Sequence, residues 1–131
     1  MGGFLGVGID IADIGRFAAH AKALPEGPAT RYLTPYEAEE ALIRTSDRAE
    51  YLASRFAAKE AVMKSLGCGM DDVSFKEIEI RPDGKGRPTA ELTGRALARL
   101  RELGAGKVLV SISHGKEQAV AMAAAVPGDG S

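Results

Sequence analysis

The chain has 131 residues, a length that suits one domain built round one core. Lys plus Arg is 17 and Asp plus Glu is 18, a formal net charge of −1 that gives no bulk attraction to nucleic acid or to an acidic membrane. Hydrophobic residues make up 45%, against disorder of the whole, while 5% aromatics and no Trp leave little for a base-stacking platform.

Cys68, the one cysteine, excludes an internal disulfide and a multi-cysteine metal site, and fits a reducing cytosol. There is no long apolar run, and Met1 to Leu5 lacks the basic start of a signal peptide. The expectation is a cytoplasmic protein with no nucleic-acid or membrane partner.

Phe4 to Ile9 is a predicted strand interrupted by Gly6 and Gly8, and glycine in a strand often marks close approach of another backbone. Asp10 is expected to end it, either as a site carboxylate or as a cap for the next helix. Ile14, Phe17, Ala18 and Ala21 predict an amphipathic helix from about 13 to 24, decorated by Arg16, His20 and Lys22. His20 has no visible partner and reads as a surface residue. Pro25 to Pro28 is a loop. Thr34-Pro35-Tyr36-Glu37 is a capping box with proline in the first turn, opening a helix to about Arg44. Ser46 or Asp47 starts the next helix, with Glu50 in the capping position, and it runs to about Leu66.

That helix carries Arg55-Phe56-Ala57-Ala58-Lys59-Glu60-Ala61-Val62-Met63-Lys64-Ser65-Leu66-Gly67. Leu52, Phe56, Met63 and Leu66 form an apolar stripe. Lys59 and Glu60 fall in or beside it, since residues three and four apart are neighbours. Alanines at 53, 57, 58 and 61 allow close packing on several sides, so these charges need partners. Glu60 and Lys64 could satisfy each other as an ordinary surface pair. Gly67 stands where a left-handed cap is wanted.

A loop at 67–72 follows, then a strand from Val73 to Ile80, a hairpin turn at 82–86 and a return strand from Pro88 to Leu92, with Pro88 placed as an edge strand permits. Leu97, Leu100 and Leu103 face inward from a helix over 93–103. Lys107 to His114 is a strand apolar on nearly both faces and therefore central, and Gln118 to Val126 should pair with it antiparallel. Residues 127–131 read as a frayed tail.

The chemistry-bearing pieces are two carboxylates (Asp10, Glu60), cations (Arg55, Lys59, Lys64) and His114 at the end of a central strand. Two oxygen ligands without a Cys or His cluster suit Mg²⁺, and neighbouring Lys and Arg suit a polyphosphate. That inventory fits phosphoryl-type transfer.

Gly8-Ile9-Asp10-Ile11 with Arg16-Phe17, then Phe56-x-x-Lys59-Glu60-Ala61-x-x-Lys64-x-x-Gly67, then Ser111-Ile112-Ser113-His114, resemble the holo-(acyl-carrier-protein) synthases. These are the single-domain 4′-phosphopantetheinyl transferases, and the resemblance runs from about Leu5 to Val126. Gly86-Arg87-Pro88 is similar to the family's Gly-Lys-Pro. Two-lobed transferases of the superfamily often carry a second acid two residues after the aspartate. Ala12 stands there, which places the chain with the short type.

The resemblance implies an α+β fold over 1–131, a small, mostly antiparallel sheet packed with a long helix, assembled as a trimer with sites between subunits. It implies transfer of the 4′-phosphopantetheine arm of coenzyme A to a serine of apo acyl carrier protein. Asp10 and Glu60 would hold Mg²⁺, with Lys64 completing the catalytic set. Coenzyme A would meet Arg55, Lys59, Lys64, Gly67, Arg87, Pro88, Ser113 and His114. Arg16 would meet the carrier's acidic helix. Glu60, Asp10 and a metal-bound water all remain as the base. The alternatives are a non-catalytic subunit that binds coenzyme A or a nucleotide, and a purely structural trimer.

Overall fold

Period-two alternation shapes the first strand, β1 (Gly6–Asp13). Gly6, Gly8, Asp10 and Ala12 turn to one face; Val7, Ile9 and Ile11 turn to the other and stay about half exposed. The inward face receives the long helix α3 (Arg48–Ser65). The computed structural model describes residues 3–128, so of the tail expected at 127–131 only Pro127 and Gly128 are described and the rest lies outside.

Between β1 and α3 run a single 3₁₀ turn (Ile14–Phe17) leading into the short α1 (Ala18–Ala23), a second 3₁₀ turn (Pro28–Arg31) and α2 (Pro35–Ile43). After α3 come a third 3₁₀ turn (Phe75–Glu77), the hairpin of β2 (Ile78–Pro82) and β3 (Pro88–Leu92), α4 (Gly94–Glu102), β4 (Lys107–His114) and β5 (Gln118–Val126). The strands form one antiparallel sheet in the order β1-β5-β4-β3-β2.

Small residues make the seam between sheet and helix. Ala119, Ala121, Ala123 and Ala125 of β5 lie opposite Ala12, Asp10, Gly8 and Gly6 of β1, and all four alanines are buried. Leu52, Val62, Leu66, Ile78 and Ile80 fill the core around it. Full burial of such a side chain contributes about 1.5–3 kcal/mol. Each glycine in β1 weakens the strand by only about 0.5–1 kcal/mol, so packing outweighs propensity there.

Local signals fix the helix ends. The Thr34 hydroxyl accepts from Glu37 N–H, while Glu37 Oε1 accepts from Thr34 N–H at 2.9 Å, completing the capping box. At the end of α3, Gly67 takes φ +69°, its N–H reaches Lys64 O, and Cys68 N–H reaches Met63 O. Those two bonds are a Schellman cap.

Five expectations need correction. β1 does not stop at Asp10; pairing with β5 carries it on to Asp13, so Asp10 sits inside the strand. The first helix opens as a 3₁₀ turn, and Ala18 faces solvent. Asp47 makes no side-chain cap: its carboxylate binds Arg44 at 2.8 Å. The segment before Ile78 is not strand but a 3₁₀ turn, because Ser74 and Glu77 close a capping box there. Finally, β3 is not an edge; Pro88 is tolerated because it stands at the end of its ladder, opposite Pro82.

The sheet face away from α3 remains open. Val7, Ile9, Ile11, Leu109 and Met122 are 48–57% exposed on it. β4 is central, as expected, the middle strand of five, but its apolar residues on this face are not covered within one chain.

Candidate active site

Close approach of β1 and α3 builds the centre of the site. A Cβ added to Gly8 would overlap the Ala61 carbonyl oxygen, and one at Gly6 would overlap the Ser65 carbonyl. With hydrogen there instead, the helix lies against the strand, and Asp10 comes to the turn of α3 that carries Glu60 and Lys64. Lys64 Nζ donates to Asp10 Oδ1 and to Ile9 O, each at 3.1 Å. Lys64 thus bridges to the strand, and no Glu60–Lys64 ion pair forms among the described residues.

Glu60 is shaped by this crowding. Burial first, then the Asp10 charge, raise its carboxyl above the ordinary glutamate value; Lys64 and Arg16 offset part of the effect. A carboxyl raised by the fold favours folding while protonated, and that contribution is lost as pH rises through its folded pKa. Above the ordinary glutamate range the raised carboxyl is therefore a cost to folding. Glu60→Gln is expected to raise the metal-free melting temperature at pH 7.5 by about 2 °C, a small figure because the group is partly exposed and screened. The gain should vanish as pH falls below 4, where both side chains are neutral. Thermal melts in chelator across pH check this.

Asp10 and Glu60 offer hard oxygen donors and little else. Among the described residues no cluster of three or more His, Cys, Asp or Glu could hold a metal. Two carboxylates beside an open face fit Mg²⁺, which keeps several waters and shares substrate oxygens. They do not fit zinc, which wants His or Cys.

Arg16, on the 3₁₀ turn after β1, stacks over Phe17 and over Phe56 of α3 at 5.0 and 4.9 Å. Arg55, five residues before Glu60, stacks on Tyr51 at 4.4 Å and donates to Ser54 Oγ, while its buried Nε has no partner. Gly67 closes the far end of α3. Ser113 and His114 are exposed at the end of β4, and His114 Nε2 lies 3.2 Å from Glu50 Oε1. Glu50, expected at a cap, serves that contact instead.

Arg87 and Pro88 lie elsewhere. Their hairpin belongs to β2 and β3, and two strands separate β3 from β1, about 14 Å at ordinary strand spacing. One chain does not bring them to Asp10.

Lys59 is a correction. It does not face a cofactor: its side chain is 0% exposed, and Nζ donates to Glu37 Oε1, Tyr32 O and Phe75 O. All three ammonium hydrogens are used inside the protein. His20 is corrected too; its Nδ1 lies 2.9 Å from the buried Tyr32 hydroxyl.

The missed residues are Glu37, Glu50 and Tyr32. Glu37 carries the one available signal, a cap carboxylate with a second oxygen to spare; that oxygen accepts from Ile80 N–H.

Residues 6–123 match the family model of the 4′-phosphopantetheinyl transferase superfamily. The chain is 45% identical over 119 residues to the holo-[acyl-carrier-protein] synthase of Moorella thermoacetica, covering 91% of each. It is 40% identical to that of Natranaerobius thermophilus, covering 91% of this chain and 94% of the relative. Among solved structures, the Plasmodium yoelii acyl carrier protein synthase with ADP bound superposes with a TM-score of 0.83 at 32% identity, over 98% of this chain and 99% of that one. The Bacillus anthracis holo-(acyl-carrier-protein) synthase in complex with coenzyme A gives 0.76 at 35% identity, over 95% and 98%. With nearly full-length agreement in both sequence and fold, the chain belongs to the 4′-phosphopantetheinyl transferase superfamily, in the group of the holo-(acyl-carrier-protein) synthases.

Proposed function

We propose that the chain transfers the 4′-phosphopantetheine arm of coenzyme A to a serine hydroxyl of an apo acyl carrier protein. The phosphorus–oxygen bond of the coenzyme diphosphate breaks, one to the serine oxygen forms, and adenosine 3′,5′-bisphosphate leaves. The observation that carries this reading is the meeting of Asp10 with the Glu60–Lys64 turn, across some fifty residues of chain. Coenzyme A in the Bacillus anthracis relative supports the choice of substrate.

Asp10 and Glu60 would hold Mg²⁺. The ion, when bound, neutralises charge that builds on the diphosphate oxygens. Lys64, half exposed, is free to turn from Asp10 to the anionic substrate and add a second positive charge. Arg55, whose buried Nε has no partner among the described residues, would meet the nucleotide phosphates, and His114 and Ser113 would also meet the coenzyme. Gly67 would leave the end of α3 free of a side chain where the coenzyme lies. Arg16 docks the acidic helix of the carrier.

We further propose a homotrimer. The uncovered apolar sheet face supports it, as does the distance of Arg87 and Pro88 from Asp10 in one chain: a neighbouring copy would supply them. The whole described chain then acts as one catalytic domain in the cytoplasm. Among the described residues no helix is long and apolar enough to cross a membrane.

The test is a mass shift. Incubated with coenzyme A, Mg²⁺ and an apo carrier, the protein should add one phosphopantetheine to the carrier. Asp10→Ala and Glu60→Ala should each lower turnover about a thousandfold. Mg²⁺ alone should raise the melting temperature of the wild type and not of Asp10→Ala. Coenzyme binding with no transfer to any of several carriers would favour the non-catalytic subunit.

A further inference from the structure

Arg16 owes its place to aromatic rings rather than to a carboxylate. Its guanidinium carbon stands 5.0 Å from the Phe17 centroid and 4.9 Å from the Phe56 centroid. The two rings are 5.4 Å apart and tilted by 53°. Behind them Tyr32 packs edge-on to Phe56 at 5.3 Å, and Phe75 lies 5.2 Å from Phe56. Phe17 is fully buried and Tyr32 nearly so. This cluster cannot tilt without disturbing the core. Arg16 itself is exposed and takes part in none of the ion pairs or side-chain hydrogen bonds formed among the described residues.

A free arginine on a surface carries rotamer entropy, part of which is lost on docking. A guanidinium packed over two rings has met part of that cost beforehand. Phe56 and Glu60 are one helical turn apart, so they are neighbours on α3. The ring that holds Arg16 therefore fixes it at a set distance from the catalytic turn.

We propose that Phe56, backed by Phe17, is a positioning residue for the carrier: it locks the Arg16 guanidinium beside the catalytic turn so that a docked carrier presents its serine there. This rests on the docking role given to Arg16 above. The partner surface it fits is a carboxylate on a helix, met side-on by a flat guanidinium.

The experiment is steady-state transfer by the full chain with Mg²⁺, coenzyme A and an apo acyl carrier protein, reading KM for each substrate separately. Arg16→Ala should raise carrier KM about tenfold and leave the KM for coenzyme A unchanged. Arg16→Lys keeps the charge but loses the guanidinium that packs over both rings, so it should raise carrier KM about threefold. Phe56→Leu should do the same, Phe56→Tyr should behave as wild type, and in the Phe56→Leu background Arg and Lys at position 16 should be equivalent. Carrier KM should also lose salt sensitivity in Arg16→Ala.

If Arg16→Ala leaves carrier KM unchanged, the docking role falls and the positioning proposal falls with it. If Arg16→Ala is impaired but Arg16→Lys is not, docking stands and the ring ledge is overturned; that arm changes only an exposed side chain and does not depend on Phe56 variants folding. Multiplying effects of Phe56→Leu and Arg16→Ala would equally overturn it, since Phe56 would then act on its own.

Discussion

Lys59→Met is expected to destabilise the protein by about 3–5 kcal/mol, a fall in melting temperature of about 10–18 °C for a chain of this size, while leaving KM for coenzyme A unchanged. Lys59 and Glu37 are both 0% exposed and meet at 2.5 Å. Burial pushes the Lys59 ammonium below the ordinary lysine value, and the Glu37 carboxylate opposes that push. Methionine fills similar space but leaves the buried Glu37 carboxyl without its cation, with only the Thr34 and Ile80 amides as donors. It also orphans the Tyr32 carbonyl and takes one of two donors from the Phe75 carbonyl, which keeps the Ile78 N–H. An exposed ion pair lost in this way would cost about 1 kcal/mol or less, so the size of the drop decides whether the pair is structural. Adding Glu37→Leu should recover part of the loss, because removing both charges is far cheaper than removing one. Urea and thermal melts measure the stability. A small loss accompanied by a several-fold rise in coenzyme A KM would return Lys59 to the nucleotide.

What the sequence disclosed about the fold was local. The Thr34–Glu37 box, the Gly67 cap and the turn at 82–86 each depend on a few neighbouring residues, and each forms where its spacing puts it. What it concealed was decided by contacts distant along the chain. Helical spacing placed Lys59 and Glu60 beside an apolar stripe but could not say which turned inward. The answer depends on Glu37, twenty-two residues away, and on carbonyls from two separate turns. Glu60 and Lys64 looked able to pair because they are one turn apart. Asp10 and the Ile9 carbonyl won Lys64 instead, since β1 lies against that face of the helix. His20 looked solitary because its partner, the Tyr32 hydroxyl, belongs to another element. The length of β1 was misjudged for the same reason: Asp10 breaks a strand by propensity, yet the β5 ladder carries the strand past it.

Gly8→Ala is expected to lower kcat about a hundredfold, with only a modest change in KM for either substrate, because a 1 Å displacement of a catalytic group can cost that much. The added methyl would overlap the Ala61 carbonyl oxygen, and would stand 2.7 Å from Lys64 Cβ and 2.9 Å from Ser65 N. Two of those three are backbone of a helix locked into the core, so neither can give way as a flexible side chain would. β1 must move instead, and Asp10 moves with it, two residues along on the same face. Overpacking of this kind also costs stability, about 1–3 kcal/mol. Loss of stability alone does not identify the cause, so two further readings are needed. Gly84→Ala, where an added methyl meets nothing within 4 Å, should keep wild-type kcat. If Asp10 and Glu60 hold Mg²⁺ as proposed, the rise in melting temperature expected with Mg²⁺ should disappear in Gly8→Ala, because β1 carries Asp10 away from the Glu60 turn. Should Gly8→Ala stay folded, keep its response to Mg²⁺ and still turn over at the wild-type rate, the close seam between β1 and α3 would not be what assembles the site, and Asp10 would have to reach Glu60 by another route.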